Sequence, residues 1–422
     1  MKKSAVIALA PMSGLLLGLK EGDSHAQTLR AAAQNKEPVR TQSAEKSFPQ
    51  LNSEGAMDRA NAQRTGVYNT KGANKADEVI WKSQQLFTFK IKNAGVNRMG
   101  LPGGGYYVHV EGEEFFPIIY TITPIFSNGM IYLTMYVGDG YLLAVDAGTG
   151  QQKWLFKREN TMLSHPAIAG DAVYVGANDG NFYVLDAKTG QEKWRFTSKD
   201  HGFANSSPVV TGQVAYFGSQ DGNLYALDLG TKQPKWVFHA EGMLTSPALA
   251  DEIICFGSAT GYLHGVDVRT GEQRWRIRAK GVGRPVIANG VVYFHDSENL
   301  YSVDSKTGQQ NWKSKPGGKV GSSFAVFEDT IYFGGWSDNL YAVDSATGRE
   351  KWKFKTRTPI QPPVIADGAV YFGGIEKMHS VDARTGRLLW NIDAKNSLLS
   401  SPVISDGIIY FARDDGHLYA MR

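Results

Sequence analysis

A carboxylate, a hydroxyl and an indole recur in this chain at one fixed spacing. Seven decapeptides carry them: VDAGTGQQKW at 145–154, LDAKTGQEKW at 185–194, LDLGTKQPKW at 227–236, VDVRTGEQRW at 266–275, VDSKTGQQNW at 303–312, VDSATGREKW at 343–352 and VDARTGRLLW at 381–390. If Asp146, Asp186, Asp228, Asp267, Asp304, Asp344 and Asp382 converged, they would hold a hard cation or work as paired acid and base. If each stays with its own Thr-Gly pair, its carboxylate accepts hydrogen bonds from the following backbone N–H groups and builds a turn. The regular repetition favours the turn. No Ser-His-Asp set, paired-carboxylate signature or metal-ligand spacing stands out elsewhere.

The elements that would position these residues repeat with them. The tryptophans Trp154, Trp194, Trp236, Trp275, Trp312, Trp352 and Trp390 are 37 to 42 residues apart. A second marker runs out of phase: Pro124, Pro166, Pro208, Pro247, Pro285, Pro363 and Pro402, with Phe324 where one is missing. The unit SPVVTGQVAYFGSQDGNLYALDLGTKQPKWVF, from Ser207, reads as four short strands separated by turns at Thr211-Gly212, Asp221-Gly222 and the Asp-Thr turn. Four strands in about 40 residues make one propeller blade. Pro belongs to a sheet edge, so the first strand is expected to face the central channel. The glycine of each turn supplies a positive φ, and Lys232 replaces it in the third copy. Each Trp is placed to pack on the neighbouring blade, with a small residue two before each Asp leaving room for the ring.

The chain ends at Arg422, three strands into a last unit, whereas ADEVIWKSQQLF upstream offers a Trp strand through Trp81. The expected fold is therefore all-β, an eight-bladed propeller over residues 76–422 whose ring is closed by the N-terminal strand. Residues 1–26 read as a signal peptide: Lys2 and Lys3, an apolar run from Ser4 to Leu19, and Ser24-His25-Ala26 as the cleavage site. That implies a periplasmic or secreted protein with no transmembrane segment. The single cysteine, Cys255, lies in an apolar strand and reads as buried, and no lipid-attachment cysteine stands beside the cleavage site. Residues 27–75 read as a flexible polar lead-in. The first 75 residues hold 11 of the 45 Lys and Arg and 6 of the 41 Asp and Glu, leaving 34 and 35 for the propeller. That balance argues against a nucleic-acid partner.

One unit is longer. Trp81 and Pro124 are 43 residues apart, and an insertion at about 91–121 reads as a hairpin of YYVHV and EFFPIIY around Glu111-Gly112-Glu113. It offers Tyr106, Tyr107, Phe115 and Phe116 either to a partner strand or as a cover for the channel. Trp336 is the one tryptophan after residue 26 outside a docking position, in a second-to-third strand turn, where it anchors a partner or packs on a neighbouring loop. Arg284 precedes a first-strand Pro and should point near the channel mouth, where it could meet an anion; His165 holds a neighbouring place in its own blade. Basic connections (Lys157, Arg158, Lys315 and others) face acidic turns (Asp139, Asp179, Asp221, Glu298, Asp338), a pattern read as two solvated rings.

The frame A-x-D-x-x-T-G-x-x-x-W, complete at 144–154 and 342–352, resembles the tryptophan-docking motif of pyrroloquinoline-quinone (PQQ) repeat propellers. The resemblance implies the propeller fold. It also implies one of two activities: a PQQ- and calcium-dependent dehydrogenase, or a non-catalytic scaffold similar to the BamB-type propellers of outer-membrane assembly. Many of the dehydrogenases carry an adjacent Cys-Cys disulfide, and most of these blades lack the insertions that build their cofactor pocket. The expectation is a monomeric scaffold with an unidentified protein partner and no cofactor. A small-molecule or glycan sensor is a further alternative.

Overall fold

The computed structural model describes residues 56–57, 67–73, 78–84, 86, 97–101, 105–109 and 120–422, apart from 122, 199–201, 204–205, 297, 318–319, 321–322, 335–337, 357, 359, 375–376, 394–399 and 414–415. It is an eight-bladed β-propeller. Each blade is an antiparallel sheet of four strands in chain order from the channel outward, as in blade 3 with Val209–Thr211, Val214–Gly218, Asn223–Asp228 and Pro234–His239. The inner strands are three residues long and begin directly after the marker Pro or, in blade 6, after Phe324. Their side chains are mostly buried between blades, so the channel sees main-chain edges. Neighbouring blades stack through aromatic and aliphatic side chains; Phe182 of blade 2 lies flat on Phe217 of blade 3, centroids 3.9 Å apart. The turn from first to second strand is a two-residue loop. In blades 1, 5, 7 and 8 both φ angles are positive, as at Asn128-Gly129 (49° and 72°), the geometry that matches strand twist in a tight hairpin; in blades 2, 3, 4 and 6 the first residue alone is positive.

Blade 8 is shared between the two ends of the chain. Val403–Ser405, Ile408–Ala412 and Leu418–Met421 supply three strands, and Val79–Lys82 pairs antiparallel with Leu418–Met421 to complete it. Glu78 and Arg422 exchange both backbone hydrogen bonds, at 3.0 and 3.2 Å. The expected ring closure is present.

The lead-in departs from the expected flexible segment. Ala56–Met57 adds antiparallel to the inner strand of blade 2, and Val67–Tyr68 adds parallel to the inner strand of blade 7. Residues 70–73 then pass beneath blades 7 and 8. Thr70 Oγ1 accepts the Asp406 N–H at 2.8 Å, the Lys71 carbonyl accepts the Gly407 N–H at 2.9 Å, and Ala73 is buried. The reason is a vacancy in the repeat. Blade 8 has no Asp-Thr-Gly turn of its own, and this segment fills its place.

The insertion extends the sheet of blade 1. Gly105–His109 also pairs antiparallel with Asn97–Leu101, an additional strand, while residues 102–104 and 110–119, Glu111-Gly112-Glu113 among them, lie outside the described residues. Gly105 in turn pairs with Tyr120, and Tyr120–Thr121 pairs with Met135 and Tyr136 at the upper end of the second strand of blade 1. At about 4.8 Å between strands, the far one of the two added strands lies roughly 10 Å beyond Tyr120–Thr121 in the sheet.

Candidate functional site

Three surfaces follow from this geometry: the docking turns at the lower face, the upper face around the channel, and the outer rim. In each docking turn the aspartate is spent locally. Asp146 Oδ1 accepts from Gly148 N, Thr149 N and Thr149 Oγ1 at 3.1, 2.9 and 2.9 Å, and the other six turns repeat most of these bonds. The Thr149 hydroxyl and the Lys153 ammonium hold its carboxyl below the usual range against a small cost of burial. Asp267 goes furthest, to about 2. Burial opposes its charge, and the Arg274 guanidinium with the N–H groups of Arg269 and Thr270 overcomes that.

The indoles use the next blade. Trp81, Trp154, Trp236, Trp275, Trp312 and Trp352 donate to the carbonyls of Ala147, Ala187, Val268, Ser305, Ser345 and Ala383 at 2.8 to 3.2 Å. In each case, the closing-strand Trp81 included, the acceptor directly follows a docking aspartate. Trp390 has no such turn ahead of it and donates instead to the Ala73 carbonyl at 3.1 Å. The turn glycine has a second duty that its φ alone does not reveal. A Cβ on Gly190 or Gly386 would come within 2.5 Å of the indole of the preceding blade, Trp154 or Trp352. Lys232, at φ 61°, instead places its ammonium 5.6 Å from the Trp194 ring.

The upper face carries the remaining candidates. Arg284 is half-buried directly before the inner strand of blade 5. The adjoining Gly283 N–H donates to the His295 carbonyl at 2.8 Å. Beside it Asp296 is buried and accepts from Tyr301 Oη at 2.7 Å and from the N–H groups of Glu298 and Asn299. Those bonds hold the Asp296 carboxyl low despite burial, while burial keeps His295 neutral. The acidic turns are satisfied in the same way elsewhere: Tyr183 Oη donates to Asp179 at 2.6 Å, and Asp139 pairs with Lys157 at 2.8 Å. Lys315 pairs with Glu298 at 3.2 Å. The two charged rings therefore meet directly at these blades. Tyr106 and Tyr107 lie on Gly105–His109; Phe115, Phe116 and Trp336 lie outside the described residues.

A PQQ site with calcium needs carboxylates and amides converging on the channel. The inner strands offer Val, Ile, Leu and Ala with few polar residues, and no group of three or more His, Cys, Asp or Glu converges among the described residues. Cys255 is buried, which pushes its thiol far up and leaves it inert.

The rim holds a feature that the sequence reading passed over. The residue before each docking Trp is a cation in blades 1, 2, 3, 4 and 6. There Lys153, Lys193, Lys235, Arg274 and Lys351 pair with the docking aspartate of the same blade. In the adjacent blades 7 and 8 that position is Leu389 and Ile80, preceded by Leu388 and Val79. All four are exposed, from 40% to 51%. Writing the seven frames one above another would have exposed it, since LLW stands alone among them.

Five overlapping stretches, residues 74–238, 112–277, 236–302, 296–375 and 361–422, match the PQQ-like repeat family described as outer membrane protein assembly factor BamB. The chain belongs to this family. Among solved structures, BamB from Moraxella catarrhalis is similar at 17% identity over 71% of this chain and 96% of that one, with a TM-score of 0.57. A europium-containing methanol dehydrogenase is similar at 14% identity over 88% and 90%, with a TM-score of 0.61. A computationally designed protein, Ika8, reaches 18% identity over 72% and 96%, with a TM-score of 0.63. At these identities the likeness is one of fold, which the BamB family shares with PQQ enzymes. No curated protein matches the chain. No helix among the described residues is long and apolar enough to cross a membrane.

Proposed function

We infer that this member of the BamB family is an exported, non-catalytic scaffold that binds protein partners during outer-membrane protein assembly. The observation that carries the reading is the broken cation ladder on the rim. Five blades spend a Lys or Arg where Leu389 and Ile80 leave aliphatic side chains in solvent on adjacent blades, and an apolar patch framed by polar residues is the usual mark of a protein contact. The lead-in supports it from the other side. Strands of the chain itself lie along the channel walls, where a cofactor on the axis would sit. Removal of residues 1–26 would deliver a monomer held at the membrane through its partner.

The test is a pair of charge restorations, Ile80→Lys and Leu389→Lys, assayed by cross-linking in envelope fractions beside a thermal melt. Loss of one specific cross-linked species with an unchanged melt supports the scaffold. Unchanged cross-linking overturns the assignment of this surface. The dehydrogenase reading is tested separately by melts with PQQ plus calcium. Ligand at a hundred times its Kd stabilises a real site by about 2.7 kcal/mol, and such a shift would reverse the conclusion.

A further inference from the structure

We propose that the channel wall is a binding site for extended polypeptide, and that Ala56–Met57 and Val67–Tyr68 of the lead-in are intramolecular occupants which a partner strand displaces. This stands apart from the rim surface and does not rest on it.

The first ground is how the lead-in pairs. Ala56 and Met57 lie opposite Ile168 and Ala167 in antiparallel register, whereas Val67 and Tyr68 lie opposite Ile365 and Ala366 in parallel register. Inner strands of a propeller all run the same way along the axis, so the two pieces run in opposite directions on two walls. The same kind of edge thus accepts a strand of either polarity. Recognition of that sort comes from main-chain hydrogen bonds and tolerates varied sequence.

The second ground is the contrast in anchoring along the segment. Each channel pairing spans two residues. From Thr70 onward the chain is held by the Asp406 N–H, the Gly407 N–H, the Asp367 carboxylate on Gly72 N, and the Trp390 and Tyr371 donors on the Ala73 carbonyl. The upstream part can leave the channel while the part that completes the ring stays in place.

The third ground is that further edges are available. Val209–Thr211, Ala248–Ala250 and Val286–Ala288, the inner strands of blades 3, 4 and 5, have the same length and similar apolar composition. Among the described residues no strand pairs with their channel side. An unpaired edge strand is a template for another chain. The occupant it fits is an extended strand held through its main chain and small or apolar where it meets the edge, as Ala56–Met57 and Val67–Tyr68 are.

The experiment uses the full chain with Met57→Pro and Val67→Pro, which remove the N–H groups and disfavour pairing while leaving residues 70–73 alone. The probe is a fluorescent synthetic peptide of residues 51–68, read by anisotropy. The released variant should bind it saturably and at least tenfold more tightly than the unaltered chain, where the tethered copy competes at high effective concentration. The same peptide carrying Pro at 57 and 67 should not bind. No saturable binding to a folded variant, equal binding to both proteins, or equal binding of the Pro peptide would each overturn the proposal. If the Pro variant fails to fold, replacing residues 52–62 with a Gly-Ser repeat removes the antiparallel pairing alone and is read against the same criteria. Ile80→Lys and Leu389→Lys leave this binding unchanged, which separates it from the rim.

Discussion

The Trp390 indole N–H donates to the carbonyl of Ala73, 317 residues earlier, at 3.1 Å, and Tyr371 Oη donates to the same oxygen at 3.3 Å. One carbonyl from the lead-in thus does for blade 7 what the residue after a docking aspartate does for the others.

The approach that allows this is close. A Cβ on Gly72 would meet Tyr371 Oη at 2.5 Å and the Ala366 carbonyl at 3.1 Å. Gly72→Val should prise the segment away and destabilise the fold by about 1–3 kcal/mol, the usual cost of overpacking. A denaturant melt of the variant measures it. A change within error would mean that residues 70–73 are not part of the cooperative unit.

Docking tryptophans should behave as core. Trp352→Ala should cost about 3–5 kcal/mol, because it removes a large ring and the Ala383 hydrogen bond. Gly386→Ala should also destabilise, through its φ of 69° and the indole pressed against it. Circular dichroism melts rank the two.

Not all the rim cations are equal. Arg274 bonds both Asp267 and Glu252, and Asp267 is buried, whereas Lys153 reaches an Asp146 more open to solvent. Arg274→Ala should cost about 1–3 kcal/mol and Lys153→Ala less than about 1. A melt at low and at high salt separates them, with the Lys153 effect vanishing first.

Acid should loosen blade 7. The third-strand position that holds Tyr183, Tyr225, Tyr301, Tyr341 and Tyr419 in other blades is His379 here, stacked on Phe372 with centroids 5.2 Å apart. Burial, with the Lys377 charge, pushes its pKa down to about 4 from 6.5. A folded pKa below the unfolded one means that its contribution is whole above pH 6.5 and is lost as pH falls from 6.5 to 4. His379→Tyr should remove its share of the loss in that window, with His264 at the same position of blade 4 and His295, both also lowered by burial, keeping the remainder. A further loss follows at lower pH, where Asp344 and Asp382, both held below 3.8 by their threonines, take up protons. Melting temperature against pH for both proteins is the check.

Much of the ring was legible because its signals are local and repeated. Asp, Thr, Gly and Trp at fixed offsets specify a turn and a docking ring seven times, and the absent fourth strand at Arg422 pointed to Trp81. The lead-in was not legible, since a two-residue strand such as Ala56–Met57 has no periodicity to read and its partner lies over a hundred residues away. The extra strand Asn97–Leu101 was not legible, since NRMGL shows no alternation to mark it as the partner of Gly105–His109. Arg284 was readable as the residue before Pro285, but nothing in the spacing announced the Asp296 and Tyr301 cluster that follows His295.

The pairing of Glu78 with Arg422 sets an order of assembly. Blades 1 to 7 gain their four strands in turn as the chain lengthens, but Val79–Lys82 must wait for Leu418–Met421, some 340 residues later in synthesis. Until then an early strand has no mate, and the loop to be closed is nearly the whole protein. Closure of this size is slow, and half-made intermediates with bare strand edges are prone to aggregate. The last few residues are therefore the clasp, and losing even Leu418 to Arg422 would leave an open arc rather than a slightly shorter ring.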